Sequence, residues 1–226
     1  MNKDEPSDWF ALKPRSVITI SDAQAIRDSM RRGLGVRGID YTVRSVERCD
    51  HVDGLCTHLF LNLEDSEQST VLLVKVVDGL VDLFLYFEPQ DLAGGRREEL
   101  LDRGMYWLFR EPPNPERFEP MDLRYAPALS QRVASEAGDG ATREVVYRMK
   151  SQGEIQSHHG ETPARQGVAS RLLATVVEYQ AESPAENPEF LILEVGENRS
   201  RQSFVRFYQG CALMHSEVDV LAVQPE

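Results

Sequence analysis

The sequence predicts an α+β protein in which two related antiparallel β-meander units are flanked by helices. Runs of β-branched and aromatic residues, separated by Asp-Gly pairs, indicate antiparallel strands. Residues 71–87 and residues 203–221 share one sequence pattern and are each predicted to form a hairpin, which indicates an internal repeat. Helix-start signals outside these runs, such as Thr162 followed by Pro163, predict the helices.

The repeat consists of a basic residue between apolar neighbours and a glycine four positions later. Lys75 and Gly79 supply them in the first copy and Arg206 and Gly210 in the second, each matched pair lying 131 positions apart. Weaker matches join residues 60–64 with 190–194 and residues 46–47 with 177–178. We expect both glycines to lie at turns and both basic side chains to be solvated. The residues that the two copies share are therefore predicted to have a structural role and no catalytic role.

A helix-capping pattern and a few apolar residues guide the interpretation of the beginning of the chain. We interpret residues 1–15 as a flexible N-terminal tail, in which Trp9 is one of a few side chains able to anchor it. Residues 16–110 form the first predicted α+β unit. This unit opens with a helix, because Ser21 and Gln24 have the spacing of a capping box, in which each side chain satisfies an amide of the first turn.

Two Asp-Gly pairs predict a four-stranded meander in this first unit. Asp53-Gly54 and Asp78-Gly79 are both flanked by apolar residues. Each pair is typical of a two-residue type I′ turn, because both central positions of that turn require a positive φ. The strand expected over residues 80–87 is apolar on both faces apart from Asp82, so other parts of the fold must cover both sides of it.

The second half is predicted to begin after a proline-rich boundary. Residues 111–142 are interpreted as a Pro-rich linker and a helix over 127–137, and residues 143–226 as the second α+β unit. This unit forms either a subdomain of its own or one domain with the first. Further expected elements are a helical stretch over 96–103, a hairpin turn at 151–153, and a helix from Thr162 to about Leu173 followed by a strand.

Composition predicts a soluble protein of the cytoplasm. The 226 residues carry a net charge of −12, which argues against a nucleic-acid partner because such proteins neutralise phosphates. No apolar run has the roughly 20 residues of a membrane span, and no signal-peptide core is present. Three cysteines cannot all pair, so reduced thiols are expected. Residues 13–48 carry eight basic against four acidic side chains, which indicates a solvated face or a dock for an anion.

One constellation of chemically capable residues stands out around the Asp53-Gly54 turn. In a two-residue hairpin, His51 lies opposite Cys56 and Cys49 lies opposite His58. Because strand side chains alternate, all four project from the same face of the hairpin. Two cysteines and two histidines are a ligand set for tetrahedral zinc.

Three departures favour ordinary side chains over a metal site at this hairpin. The second copy of the repeat has no equivalent ligands, and the spacing of one residue between ligands differs from the usual two-residue knuckle. A pleated strand also separates alternate residues by roughly 6 to 7 Å. We therefore expect no cofactor, with zinc bound by Cys49, His51, Cys56 and His58 as the alternative. A Cys49–Cys56 disulfide is not expected, since diagonal positions lie roughly 7 to 8 Å apart.

The remaining reactive residues are weaker candidates. Adjacent histidines point to opposite faces of an extended chain, and paired glutamates do acid and base work only where their environments separate their pKa values. The glycine-arginine run lacks the pattern of a phosphate-binding loop. These candidates are His158 and His159, Glu47 and Glu64 with their repeat partners Glu178 and Glu194, and Gly94-Gly95-Arg96-Arg97.

The predicted function is a noncatalytic binding or adaptor module that acts through protein–protein contacts, with a protein partner or as a homo-oligomer. No nucleic-acid or membrane partner and no catalytic residue are expected. Two alternatives stay open: a zinc-binding protein that uses the cysteine and histidine hairpin, and a hydrolase-like enzyme with glutamate and histidine chemistry.

Overall fold

The computed structural model describes residues 4–21, 40–64, 70–87, 128–134, 142–157, 171–182, 189–198 and 203–221. They form one short helix, α1 (Pro6–Phe10), a 3-10 turn (His215–Glu217) and eleven strands. The strands are β1 (Val17–Ile20), β2 (Asp40–His51), β3 (Cys56–Leu63), β4 (Thr70–Val77), β5 (Leu80–Phe87), β6 (Ala128–Ala134), β7 (Thr142–Ser157), β8 (Arg171–Ala181), β9 (Glu189–Asn198), β10 (Ser203–Leu213) and β11 (Val218–Leu221).

Eight of the strands close into an antiparallel barrel. The strands β2, β3, β4 and β5 form one meander, and β7, β8, β9 and β10 form another. The two meanders meet at two seams, β5 with β10 and β2 with β7. The β2–β7 seam is short, with three residue pairs from Cys49↔Ser157 to His51↔Ile155. Outside the barrel, β6 pairs with β7, while β1 joins β2 to β11.

Alternation along the strands produces two cores. The barrel core lies inside, since every one of the eight barrel strands contributes to it. Its members are Cys49, Phe60, Val71, Leu73, Tyr86, Ile155, Ala174, Val176, Ile192 and Tyr208. The outer core packs the opposite faces of β3, β4 and β5 against the N-terminal segment and β11. Trp9 and Leu12 are buried there, so the first meander is covered on both faces.

The α+β prediction is wrong, because the described chain is almost entirely β. The helix expected over 127–137 is replaced by β6, since Ala128–Ala134 pairs along its whole length with β7 and tertiary pairing overrides a weak local preference for helix. The hairpin expected at 151–153 is also absent. There β7 continues through a register shift between Met149 and Ser151. Leu173 lies in β8, which corrects the C-terminal end of the predicted Thr162 helix.

Other predicted helices lie outside the described residues, namely the one starting at Ser21, apart from Ser21 itself, the stretch over 96–103, and residues 162–170. In the part of the chain that is described, no helix combines the length and the apolar character needed to cross a membrane.

The backbone conformation at the predicted turns differs between the two copies of the repeat. Asp78 and Gly79 have φ values of 51° and 79°, so the predicted type I′ turn is confirmed. At the other Asp-Gly pair only Gly54 has a positive φ, 73°, so its predicted turn type is wrong. Gly210 does not turn at all and lies inside β10 between Tyr86 and Phe190. The second copy is therefore not a hairpin, because its glycine is held between two neighbouring strands.

Candidate metal centre

The β2–β3 hairpin has the register that the sequence predicts. Cys49 lies opposite His58 and Asp50 lies opposite Thr57. The turn is closed by a hydrogen bond from the Gly54 N–H to the His51 carbonyl, 2.9 Å long.

Three of the four predicted ligands come together. One potential ligand atom from each of His51, Cys56 and His58 lies within 4.8 Å of the other two. We call these three residues the metal centre. Cys49 is buried in the barrel core but is not a member of this group. Cys49 and Cys56 occupy diagonal positions of the hairpin, and two short cysteine side chains do not reach each other across that separation.

The imidazole of His51 rests on a glycine of the opposite strand at the seam. A Cβ atom on Gly153 would lie 2.5 Å from His51 Nδ1 and 2.6 Å from its Cε1, so only glycine leaves room for the ring. The ring centroids of His51 and His58 are 4.7 Å apart with an interplanar angle of 80°. The Nε2 atom of His51 is buried and has no hydrogen-bond partner among the described residues. An orphaned buried nitrogen of this kind calls for an explanation.

A carboxylate from the far side of the barrel approaches His58. Glu178 Oε1 lies 3.5 Å from His58 Nε2. The other oxygen, Oε2, accepts hydrogen bonds of 2.5 Å from Lys75 Nζ and from Ser151 Oγ. The side chains of Lys75 and Glu178 are 18% and 16% exposed, so this ion pair lies inside the barrel and not in solvent. The expectation that Lys75 is a solvated charge is wrong.

Burial determines the protonation states of His51 and Cys56, the two candidate ligands whose pKa values are shifted. Desolvation lowers the pKa of His51 below its ordinary 6.5, although the nearby acids Asp53 and Glu178 oppose the shift. At neutral pH its ring is therefore neutral and able to bind a metal. Desolvation raises the pKa of Cys56 to about 12, with Lys75 acting in the opposite direction. The thiol of Cys56 stays protonated unless a cation displaces its proton.

The other candidates do not converge on one place. Glu194 is fully buried in the barrel, and its Oε2 lies 3.9 Å from Arg206 Nη1. It thus faces a cation of its own while Glu178 faces Lys75. Glu64 is exposed and Glu47 is half-buried on β2. The histidines His158 and His159 and the run Gly94-Gly95-Arg96-Arg97 lie outside the described residues.

Sequence reasoning missed the residues that surround the metal centre. Lys75, Ser151 and Gly153 come from β4 and β7, and nothing near the hairpin in sequence points to them. The one available signal was the position of Lys75 and Arg206 in the middle of apolar strands, which is unusual for a solvated side chain. Each of these basic side chains faces a glutamate inside the barrel.

Soft and borderline ligands define the chemistry of this site. A thiolate and two neutral imidazoles suit zinc and related transition metals, whereas magnesium and calcium prefer oxygen ligands. None of the three cysteines, all of which lie in the described residues, forms a disulfide bond. Comparison with known proteins adds no identity, because the chain matches no protein-family model, no curated protein and no solved structure.

Proposed function

We propose that this protein binds a divalent transition metal, with zinc as the best fit, at the metal centre of His51, Cys56 and His58. The observation that carries the proposal is the convergence of three such ligand atoms within 4.8 Å on one hairpin. The buried and otherwise unpartnered Nε2 of His51 supports it, since a metal would satisfy that atom.

The distances are compatible with binding after a small adjustment. Bonds of 2.0 to 2.3 Å in a tetrahedron place ligand atoms roughly 3.3 to 3.8 Å apart. The ligand atoms must therefore approach one another by at most about 1 to 1.5 Å, which side-chain rotation supplies without a change of register. Three protein ligands leave a fourth position for water or another group.

Metal binding of this kind stabilises the barrel and needs no catalytic step. It supplies free energy of folding, because the ligands are assembled only in the folded chain. The wider expectation of a cytoplasmic binding or adaptor protein stays a prediction. A reduced thiol ligand fits a reducing compartment, and the hairpin tips carry the exposed apolar residues Val52, Leu55 and Leu80.

The test is the metal content and affinity of the untagged protein. We expect about one zinc per chain after reconstitution and dialysis, and a melting temperature that a chelator lowers. Cys56→Ser should abolish the bound zinc. Cys49→Ser and Cys211→Ser are matched controls, because both remove a thiol outside the metal centre, and both should keep the metal. Zinc binding that is absent from the wild type, or unchanged in Cys56→Ser, would contradict the proposal.

A further inference from the structure

We infer that Glu178 is the positioning residue of the metal centre: it holds His58 by the ring nitrogen Nε2 and so directs Nδ1 to the metal. This inference rests on the proposed metal site and adds a residue to it from the opposite meander. Metal-binding histidines commonly donate their second ring N–H to a carboxylate, which orients the ring and increases its basicity.

Glu178 is itself fixed by donors from two other strands. Lys75 on β4 and Ser151 on β7 both donate to Oε2 at 2.5 Å. Ser151 is paired with Glu178 across the β7–β8 ladder, immediately after the register shift in β7. With Oε2 engaged twice, the remaining oxygen Oε1 is the one directed at His58 Nε2, 3.5 Å away. A contraction of a few tenths of an ångström gives a hydrogen bond of ordinary length.

The two histidines then bind through different nitrogens. In His58, a proton on Nε2 shared with Glu178 places the lone pair of the neutral ring on Nδ1, which is then the nitrogen that coordinates a metal. In His51, the edge of the ring that carries Nδ1 rests on Gly153, and Nε2 is the buried atom without a hydrogen-bond partner in the described chain. The structure thus assigns Nδ1 of His58 and Nε2 of His51 as ligands, with Cys56 Sγ as the third.

Glu178 acts on the metal through His58 and is not a ligand itself. It lies outside the set of atoms that are mutually within 4.8 Å, and its free oxygen faces the ring nitrogen of His58. A positioning residue and a ligand have different spectroscopic consequences, so the two roles can be separated by experiment.

The experiment compares Glu178→Gln with Glu194→Gln in the full-length protein. Both substitutions remove a negative charge from a largely buried glutamate that faces a cation inside the barrel, but only Glu178 faces His58. Zinc affinity is measured by competition with a chromophoric chelator, and the geometry of the site by the absorption spectrum of the cobalt(II) form. Unfolding in urea of the metal-free protein reports general damage to the fold.

We expect Glu178→Gln to weaken zinc binding about 10- to 100-fold with an unchanged cobalt spectrum. Glu194→Gln should leave the affinity within about threefold of wild type. An unchanged affinity in Glu178→Gln, an equal loss in Glu194→Gln, or a cobalt spectrum that shows a lost ligand would each overturn the inference. Failure of the wild type to bind metal would instead refute the proposed function and, with it, this role of Glu178.

A second variant keeps the test decisive if Glu178→Gln does not fold. Ser151→Ala removes one of the two donors that fix the carboxylate and leaves the charge in place. A weaker zinc affinity with an unchanged cobalt spectrum supports the positioning role, and an affinity equal to that of the wild type overturns it.

Discussion

Gly153 shows how one missing side chain makes room for a functional one. A Cβ atom at this position would lie 2.5 Å from His51 Nδ1, well inside any real contact distance. We predict that Gly153→Ala displaces the His51 ring and weakens zinc binding at least tenfold. Its effect on the metal-free protein should be small, since alanine is acceptable in a strand. Isothermal titration with zinc, together with urea unfolding of the metal-free protein, checks both parts. An alanine variant with wild-type affinity would contradict this account of the ring.

Gly210 is required for a different reason, the close approach of β5. A Cβ atom there would lie 1.9 Å from the Leu85 carbonyl oxygen, which belongs to the backbone and cannot move aside cheaply. We predict that Gly210→Ala lowers the free energy of unfolding by about 2 kcal/mol or more. The control is Gly79→Ala. A Cβ atom at Gly79 would have no atom within 4 Å, so this variant should lose only the cost of placing alanine at a positive φ, about 1 kcal/mol. Equal losses in the two variants, measured by urea unfolding, would argue against a steric role for Gly210.

At the scale of elements, His215 ties the N-terminal helix to the barrel. Its Nδ1 lies 2.5 Å from Asp4 Oδ1 just before α1, and its Nε2 lies 2.8 Å from the Val81 carbonyl of β5. We predict that His215→Ala loosens α1, costs about 1 kcal/mol, and speeds hydrogen exchange at the amides of Ala11 and Leu12. Zinc affinity should not change.

The matched control for this contact is the neighbouring residue. Met214→Ala removes a side chain that is 67% exposed and should leave exchange at α1 unaltered. If both variants speed exchange equally, the effect comes from the 3-10 turn as a whole and not from the imidazole.

The elements that the sequence predicts well are those whose cause is local. The Asp78-Gly79 turn and the β2–β3 register both follow from residues within the hairpins themselves. By contrast, the strand at Ala128–Ala134 exists because β7 pairs with it, which no local pattern reveals. Gly79 and Gly210 occupy equivalent positions in the repeat, yet only Gly79 lies in a turn. Gly210 instead lies in a strand between two others that are distant from each other in sequence.

The same division applies to the candidate site. The sequence brings His51, Cys56 and His58 to one hairpin, since three of the four predicted positions do converge. It names Glu178 only as a repeat partner of Glu47 and does not reveal the contact of Glu178 with Lys75, which spans 103 positions of the chain. Nor does it supply Gly153 on β7, because that neighbour depends on how the barrel closes.

At the scale of the whole molecule, the metal centre lies beside the shortest barrel seam in the described chain. The β2–β7 seam has three residue pairs, and beyond them the Val52 amide donates to the Glu154 carbonyl at 2.8 Å. We predict that zinc removal speeds hydrogen exchange at Val52 about tenfold or more, because metal bound by His51 holds the end of β2 against β7. Amides in the eight-pair β4–β5 ladder should keep their protection.

Cys56→Ser provides the control for this effect. In that variant the exchange rate at Val52 should equal that of the metal-free wild type, whether or not zinc is added. A zinc-dependent rate in the variant would show that the metal acts at another site.

The division of the barrel into two meanders has a consequence for the order of folding. Within each meander every strand pairs with its neighbour in the chain, so these contacts close short loops, whereas the two seams join residues far apart in sequence. Short loops close at a lower entropic cost and therefore earlier. All three residues of the proposed metal site lie on the first hairpin of the first meander. The proposed site is complete only when β7 and β8 bring Gly153 and Glu178 against this hairpin, so closure of the β2–β7 seam is the late step that assembles it.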